Sequence, residues 1–228
     1  GIIGGNPERA LARIDDALRE DPQYAQGYVY QSFVLRALGR VADGVSAAQR
    51  AFDIDPHALI TSQALAWSLF CAGRTAEALS LNQTIVEELP HVDIVQAYRA
   101  IFAAWLGDHR EADRACDVLV SQHSSNVAMM TAVAFALARQ GKVRDALSLA
   151  SQLQAPEVPR APRTQLATIY VAARDHEAAF EWLRQAKDER CPWLPVAQVD
   201  PRFEEVMDSK EFQTLFDDSE VSAVASHR

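Results

Sequence analysis

The residues of this chain best suited to chemistry are its histidines, cysteines and paired carboxylates, and their spacing builds no reactive centre. His57, His91, His109, His123, His176 and His227 are scattered singly. His176-Glu177 has no second histidine at the interval that would put two imidazoles on one helical face, so a zinc-protease motif is absent. Cys71, Cys116 and Cys191 are odd in number, far apart and outside any CxxC, which argues against a structural metal or a disulfide framework. Glu87-Glu88 and Glu204-Glu205 are adjacent pairs. On a helix, neighbours diverge by about 100°, so neither pair can serve one site. Gly4-Gly5 lacks the lysine of a phosphate loop, and there is no GxSxG elbow. These absences point away from an enzyme, a cofactor and a metal.

Charge narrows the partners. Lys and Arg total 22 against 31 Asp and Glu, a net charge of -9, which repels a polyanion and disfavours direct nucleic-acid binding. No run reaches the roughly 18 continuous apolar residues of a membrane span. The start carries no basic, apolar leader, and the free thiols suit a reducing, cytoplasmic compartment.

The elements that must position any site are helices at a fixed period. Gly39, Gly73, Gly107 and Gly141 are spaced 34 apart, and five positions after each stands a small residue: Gly44, Ala78, Ala112 and Ala146. Pro22, Pro56 and Pro90 keep the same beat, and Asp21-Pro22 and Asp55-Pro56 suit an N-cap followed by a first helical residue. A fifth copy places Arg174 in the glycine slot and Ala179 in the alanine slot, one position short of the full period after the fourth. The glycine suits the left-handed end of a first helix, and the small residues suit close approach of two helices. Such a hairpin cannot bury its own apolar face, so neighbours must stack.

Over about residues 7–191 this pattern resembles the tetratricopeptide repeat (TPR) family. The small slots Ser32, Ala66, Ala100, Ala134 and Ala167 match it, as do Tyr28 and Met130 at the large slot, where Ser62 and Gln96 depart. The resemblance implies an all-α, right-handed superhelix of antiparallel helix pairs. Residues 1–22 read as the second helix of a truncated repeat, with Asn6 as N-cap and Pro7 first in the helix. Residues 23–191 form five helix pairs, residues 192–216 short C-terminal capping helices on the exposed end of the stack, and 217–228 a flexible tail. The lone first helix suggests a piece of something longer; a family member that begins with one capping helix is the alternative.

The stretch 182-WLRQAKDERCPWLPVAQVDPRFEEVMDSKEFQTLF-216 resembles the end of TPR arrays in bacterial signalling proteins. Among these are winged-helix transcription regulators and TolB-like adenylate cyclase proteins, in which the array follows an effector domain. Phe203, Val206, Phe212, Leu215 and Phe216 would supply the apolar face of the cap.

In this family the first helix of each pair lines a concave groove. Carried over slot by slot, the groove residues are Val29, Phe33, Arg36, Gln63, Trp67, Phe70, Cys71, Ile101, Trp105, Thr131, Phe135 and Arg139. Phe33, Trp67, Ile101 and Phe135 are spaced 34 apart. They form either an exposed apolar ledge or a seam between helices. Cys71 beside Trp67 is either a thiol sensor or a buried, inert thiol. The groove lacks the Lys/Asn pattern by which some members clamp a chaperone's C-terminal carboxylate. The expectation is a module that binds a protein or peptide and regulates an attached effector. The alternative is a small-molecule sensor with an aromatic pocket. Self-association through the open N-terminal face is a further expectation.

Overall fold

The computed structural model describes residues 6–123, 125–155 and 159–216. Among these there is no strand, and the chain is a right-handed α-solenoid of TPR type. The first helix, α1 (Pro7–Glu20), starts where the Asn6 side chain accepts from the Arg9 amide at 2.7 Å and Pro7 needs no donor of its own. Five hairpins follow: α2 (Ala25–Ala37) with α3 (Val41–Ile54), α4 (Leu59–Cys71) with α5 (Thr75–Glu88), α6 (Asp93–Leu106) with α7 (His109–His123), α8 (Val127–Arg139) with α9 (Val143–Gln152), and α10 (Arg163–Ala172) with α11 (His176–Asp188). The even-numbered helices pack side by side into one layer, and the odd-numbered ones back them.

The turn inside each hairpin is the same device five times. Gly39, Gly73, Gly107 and Gly141 have φ between 74° and 79°, and Arg174 takes φ 63° in the same slot. After each, the next amide donates to the carbonyl five positions back, as Arg40 N–H does to Leu35 and Asp175 N–H to Tyr170, both at 2.9 Å. That bond satisfies a carbonyl the helix end leaves open.

Where helices cross, the repeated small residues let backbones meet. Ala66, Ala78, Ala100, Ala112, Ala134, Ala146, Ala167 and Ala179 are all completely buried. At Gly44 a Cβ would stand 2.9 Å from Arg36 Cγ and 3.2 Å from the Ser32 carbonyl oxygen, so only glycine fits between α3 and α2.

The Asp-Pro pairs do not begin helices. Asp21 and Asp55 close α1 and α3 with non-helical backbone, φ -128° and -139°. Proline disfavours helical geometry in the residue before it, so the preceding helix stops there. Each aspartate then braces the turn: Asp21 Oδ1 accepts from the Gln23 amide at 3.0 Å and Asp55 Oδ1 from the Ala58 amide at 3.1 Å.

Beyond α11 the chain makes two short 3-10 segments, Leu194–Val199 and Pro201–Phe203, then α12 (Glu204–Met207) and α13 (Lys210–Thr214). Phe203, Val206, Phe212 and Leu215 are buried in a cluster with Ala179, Phe180 and Leu183 of α11 and Ala167 and Val171 of α10. The segment 193–203 also does something a terminal cap need not do. It reaches back over the concave layer as far as α2. Residues 217–228 lie outside the described residues.

Candidate functional site

The concave layer is α2, α4, α6, α8 and α10, and the C-terminal segment crosses it at three anchor points. Trp193 sets its ring edge-on to Phe33 of α2, centroids 5.0 Å apart and planes at 88°. Arg202 lays its guanidinium over Trp67 of α4 at 4.9 Å and faces Phe135 of α8 at 5.7 Å. Glu205 reaches Arg139 at 3.8 Å, and Arg139 in turn covers Trp105 at 4.3 Å.

Arg202 is fixed in that position by Asp200. The two carboxylate oxygens accept from Arg202 Nε at 3.0 and 3.1 Å and from Nη2 at 2.6 Å, while Oδ1 also accepts from the Arg202 amide. Both side chains are nearly buried, at 10% and 8% exposure. The carboxylate caps the second 3-10 segment, but its larger work is to hold a cation against two aromatic rings.

Segment and layer together bound a half-open chamber of about 420 Å³. That is the size of a site for a small organic molecule. Its wall includes Val29, Phe33, Arg36, Gln63, Trp67, Ile101 and Thr131 from the groove positions expected from sequence. Trp105, Phe135 and Arg139 line a smaller adjoining recess of about 110 Å³ instead. Phe70 is in neither. It lies fully buried behind Trp67, with its ring 5.3 Å from that indole and 5.0 Å from Phe102. The Phe33, Trp67, Ile101 and Phe135 row is thus part ledge and part core: Phe33 and Trp67 are half-buried, and Ile101 and Phe135 are buried. What lies against its aromatic members is the chain's own tail end.

Cys71 lies outside the chamber wall, near Arg36, Asp200 and Arg202. Burial pushes its thiol up to about 11, against the pull of Arg36, so it is protonated and a poor nucleophile at neutral pH. Tyr98, half-buried in the wall, is likewise pushed up to about 12 by burial and stays a neutral hydroxyl. Sequence reasoning missed Tyr98, Ile60, Ile94 and Met129, which also line the wall, and Trp193, Asp200 and Arg202, which roof it. Their helical spacing was readable, but the roof comes from a segment whose partners stand far upstream in the chain. The floor is braced across one period by Thr131 Oγ1 donating to Gln165 Oε1 at 2.7 Å.

Among the described residues there is no His/Cys/Asp/Glu group arranged to hold a metal ion, and no helix long and apolar enough to cross a membrane. Glu87 and Glu88 lie exposed on α5; Glu204 and Glu205 are exposed, the latter facing Arg139 and His176.

No protein-family model matches the sequence, and no curated protein matches it. Solved structures do resemble it. A tetratricopeptide repeat protein from Parabacteroides merdae superposes with a TM-score of 0.66 at 14% identity, over 87% of this chain and 78% of that one. PilW, a type IV pilus biogenesis factor, gives 0.59 at 20% identity, over 92% and 91%. The Cut9–Hcn1 hetero-tetramer of the APC/C gives 0.61 at 12% identity, over 95% of this chain and 47% of the other. At these identities the likeness is one of architecture, and the architecture is the tetratricopeptide-repeat solenoid.

Proposed function

We propose that this chain is a non-catalytic recognition module of a larger bacterial signalling protein or transcription regulator, and that it senses a small molecule held in the concave chamber. The supporting observation is the path of residues 193–203. They cross the groove and leave a half-open, aromatic-walled pocket where an uncrossed TPR array would offer a long channel. Occupancy would be passed on through the roof, because the segment touches both the first complete hairpin and the last. A ligand that contacts roof and layer together stabilises the closed arrangement by its differential affinity for it.

A peptide or protein partner along the same face is the second reading, favoured by the apolar row and by the similarity to Cut9, which assembles with Hcn1. It requires the roof to leave. Thermal-shift screening of small acids, bases and neutral compounds separates the two. Ala64 lines the chamber and is half-buried, so Ala64→Trp fills the space. Compounds that stabilise the native chain and fail on Ala64→Trp support the sensor. If peptides alone stabilise, and residues 193–203 lose amide protection when they bind, the sensor reading falls.

A further inference from the structure

Two buried polar side chains in the chamber wall carry atoms with no hydrogen-bond partner among the described residues. Among the described residues neither Nε2 nor Oε1 of Gln63, 8% exposed, is hydrogen-bonded, and Arg36, 4% exposed, leaves Nη1 unpartnered. Arg36 Nε donates to the Ser32 carbonyl at 3.3 Å, and Gly44 leaves room for its stem. Arg36 joins no ion pair among the described residues. The acid of the chamber wall, Asp200, is taken by Arg202. Arg36, Arg202 and Asp200 therefore leave the wall with one uncompensated positive charge, in a chain whose net charge is -9. A buried cation and a buried amide left unpaired are each unfavourable, and a ligand that meets them recovers that cost.

Their separation follows from the repeat. Arg36 stands one repeat period before Phe70, and Gln63 lies seven positions before Phe70 on the neighbouring helix. Seven residues rise about 10 Å along an α-helix. Between the two polar ends the wall is Phe33, Trp67 and Ile101.

We propose that the chamber takes a small monocarboxylate: its carboxylate on Arg36, an aryl or branched alkyl body against Phe33 and Trp67, and a hydroxyl or amide at Gln63. A single free guanidinium matches one carboxylate and leaves a phosphate dianion under-neutralised. Gln63 offers both a donor and an acceptor, so a group able to do both answers it. The proposal rests on the chamber reading above and adds the charge and length of the ligand.

The test is calorimetric titration of the native chain with 3-(4-hydroxyphenyl)propionate, its primary amide, and 3-phenylpropionate. Arg36→Met keeps the stem and removes the charge; Ala64→Trp fills the space. The acid should bind roughly ten- to hundredfold tighter than the amide, and the acid lacking the hydroxyl should bind several-fold more weakly. Arg36→Met should bring the acid down to the level of the amide and leave the amide itself nearly unchanged, while Ala64→Trp abolishes both. Equal affinity of acid and amide for the native chain overturns the anion assignment whether or not the variants fold. If Ala64→Trp still blocks both compounds in that case, the chamber reading stands. Absence of binding by all three at millimolar ligand overturns the ligand class. Undiminished binding to Ala64→Trp places the compounds elsewhere and overturns the chamber reading too.

Discussion

Replacing Arg202 by Met should open the roof without unfolding the solenoid. The change removes three charge-assisted contacts to Asp200 and the guanidinium that sits over Trp67 and faces Phe135. Asp200 stays behind, 6% exposed, with the residue-202 amide as its one remaining hydrogen-bond donor among the described residues. Stranding one member of a buried pair costs about 3–5 kcal/mol. At about 1.4 kcal/mol per decade, the closed-to-open equilibrium of the segment shifts by two to three and a half decades. The cost is local because the anchors on α4 and α8 are side-chain contacts, whereas α2 to α11 hold one another through continuous small-residue seams. Hydrogen exchange read by mass spectrometry checks this. Amides of 194–203 should exchange faster by two or more decades, and those of α4, α6 and α8 should keep their native protection. Asp200→Asn combined with Arg202→Met should recover part of the loss, since no stranded charge remains. Uniform loss of protection across α2–α11 in Arg202→Met would refute the separation of roof from solenoid, and an unchanged exchange rate at 194–203 would refute the latch itself.

Three further outcomes are expected. Arg174 holds the left-handed turn that glycine fills in the other four hairpins, so Arg174→Gly should stabilise the chain by about 0.5–1 kcal/mol, read as a raised midpoint in urea. Gly44→Ala should destabilise by about 1–3 kcal/mol, because its Cβ meets Arg36 Cγ and the Ser32 carbonyl, and it should weaken any ligand that depends on the placement of Arg36. Glu111 accepts from Arg99 at 2.6 Å and from Arg114 at 3.0 Å, and the Arg99 bond foremost holds its carboxyl below the usual range. A depressed carboxyl adds stability above its unfolded value near 4.5, and that stability is lost as pH falls through the folded value. Glu111→Gln should therefore lower the unfolding midpoint at pH 7 and flatten its decline on the acid side.

The solenoid was legible in the sequence because its determinants are local and repeat. A glycine in the left-handed region and an alanine with no room to grow are dictated by contacts within one hairpin and its neighbour, so each recurs once in every period. Arg174 kept the slot without the glycine, and its partner Ala179 carried the signal. The Asp-Pro pairs misled because one dipeptide serves two ends: Asp suits an N-cap, but Pro also stops the helix before it, and the turn it starts occupies two more residues before α2 and α4 begin. The roof was illegible for a different reason. Phe203, Val206, Phe212 and Leu215 are apolar and announce burial, but Arg202 in isolation reads as a solvated charge. Its partners Trp67 and Phe135 lie two and four helix pairs deep in the array, in a groove whose slots the repeat pattern identifies without saying what fills them. Periodicity specifies surfaces that face one another at a constant interval. A contact made once, by a segment outside the period, leaves no second copy to compare it with. The unpaired Arg36 and Gln63 belong to that second class, which is why the part of the molecule that departs from the repeat is also the part that turns a generic groove into a particular chamber.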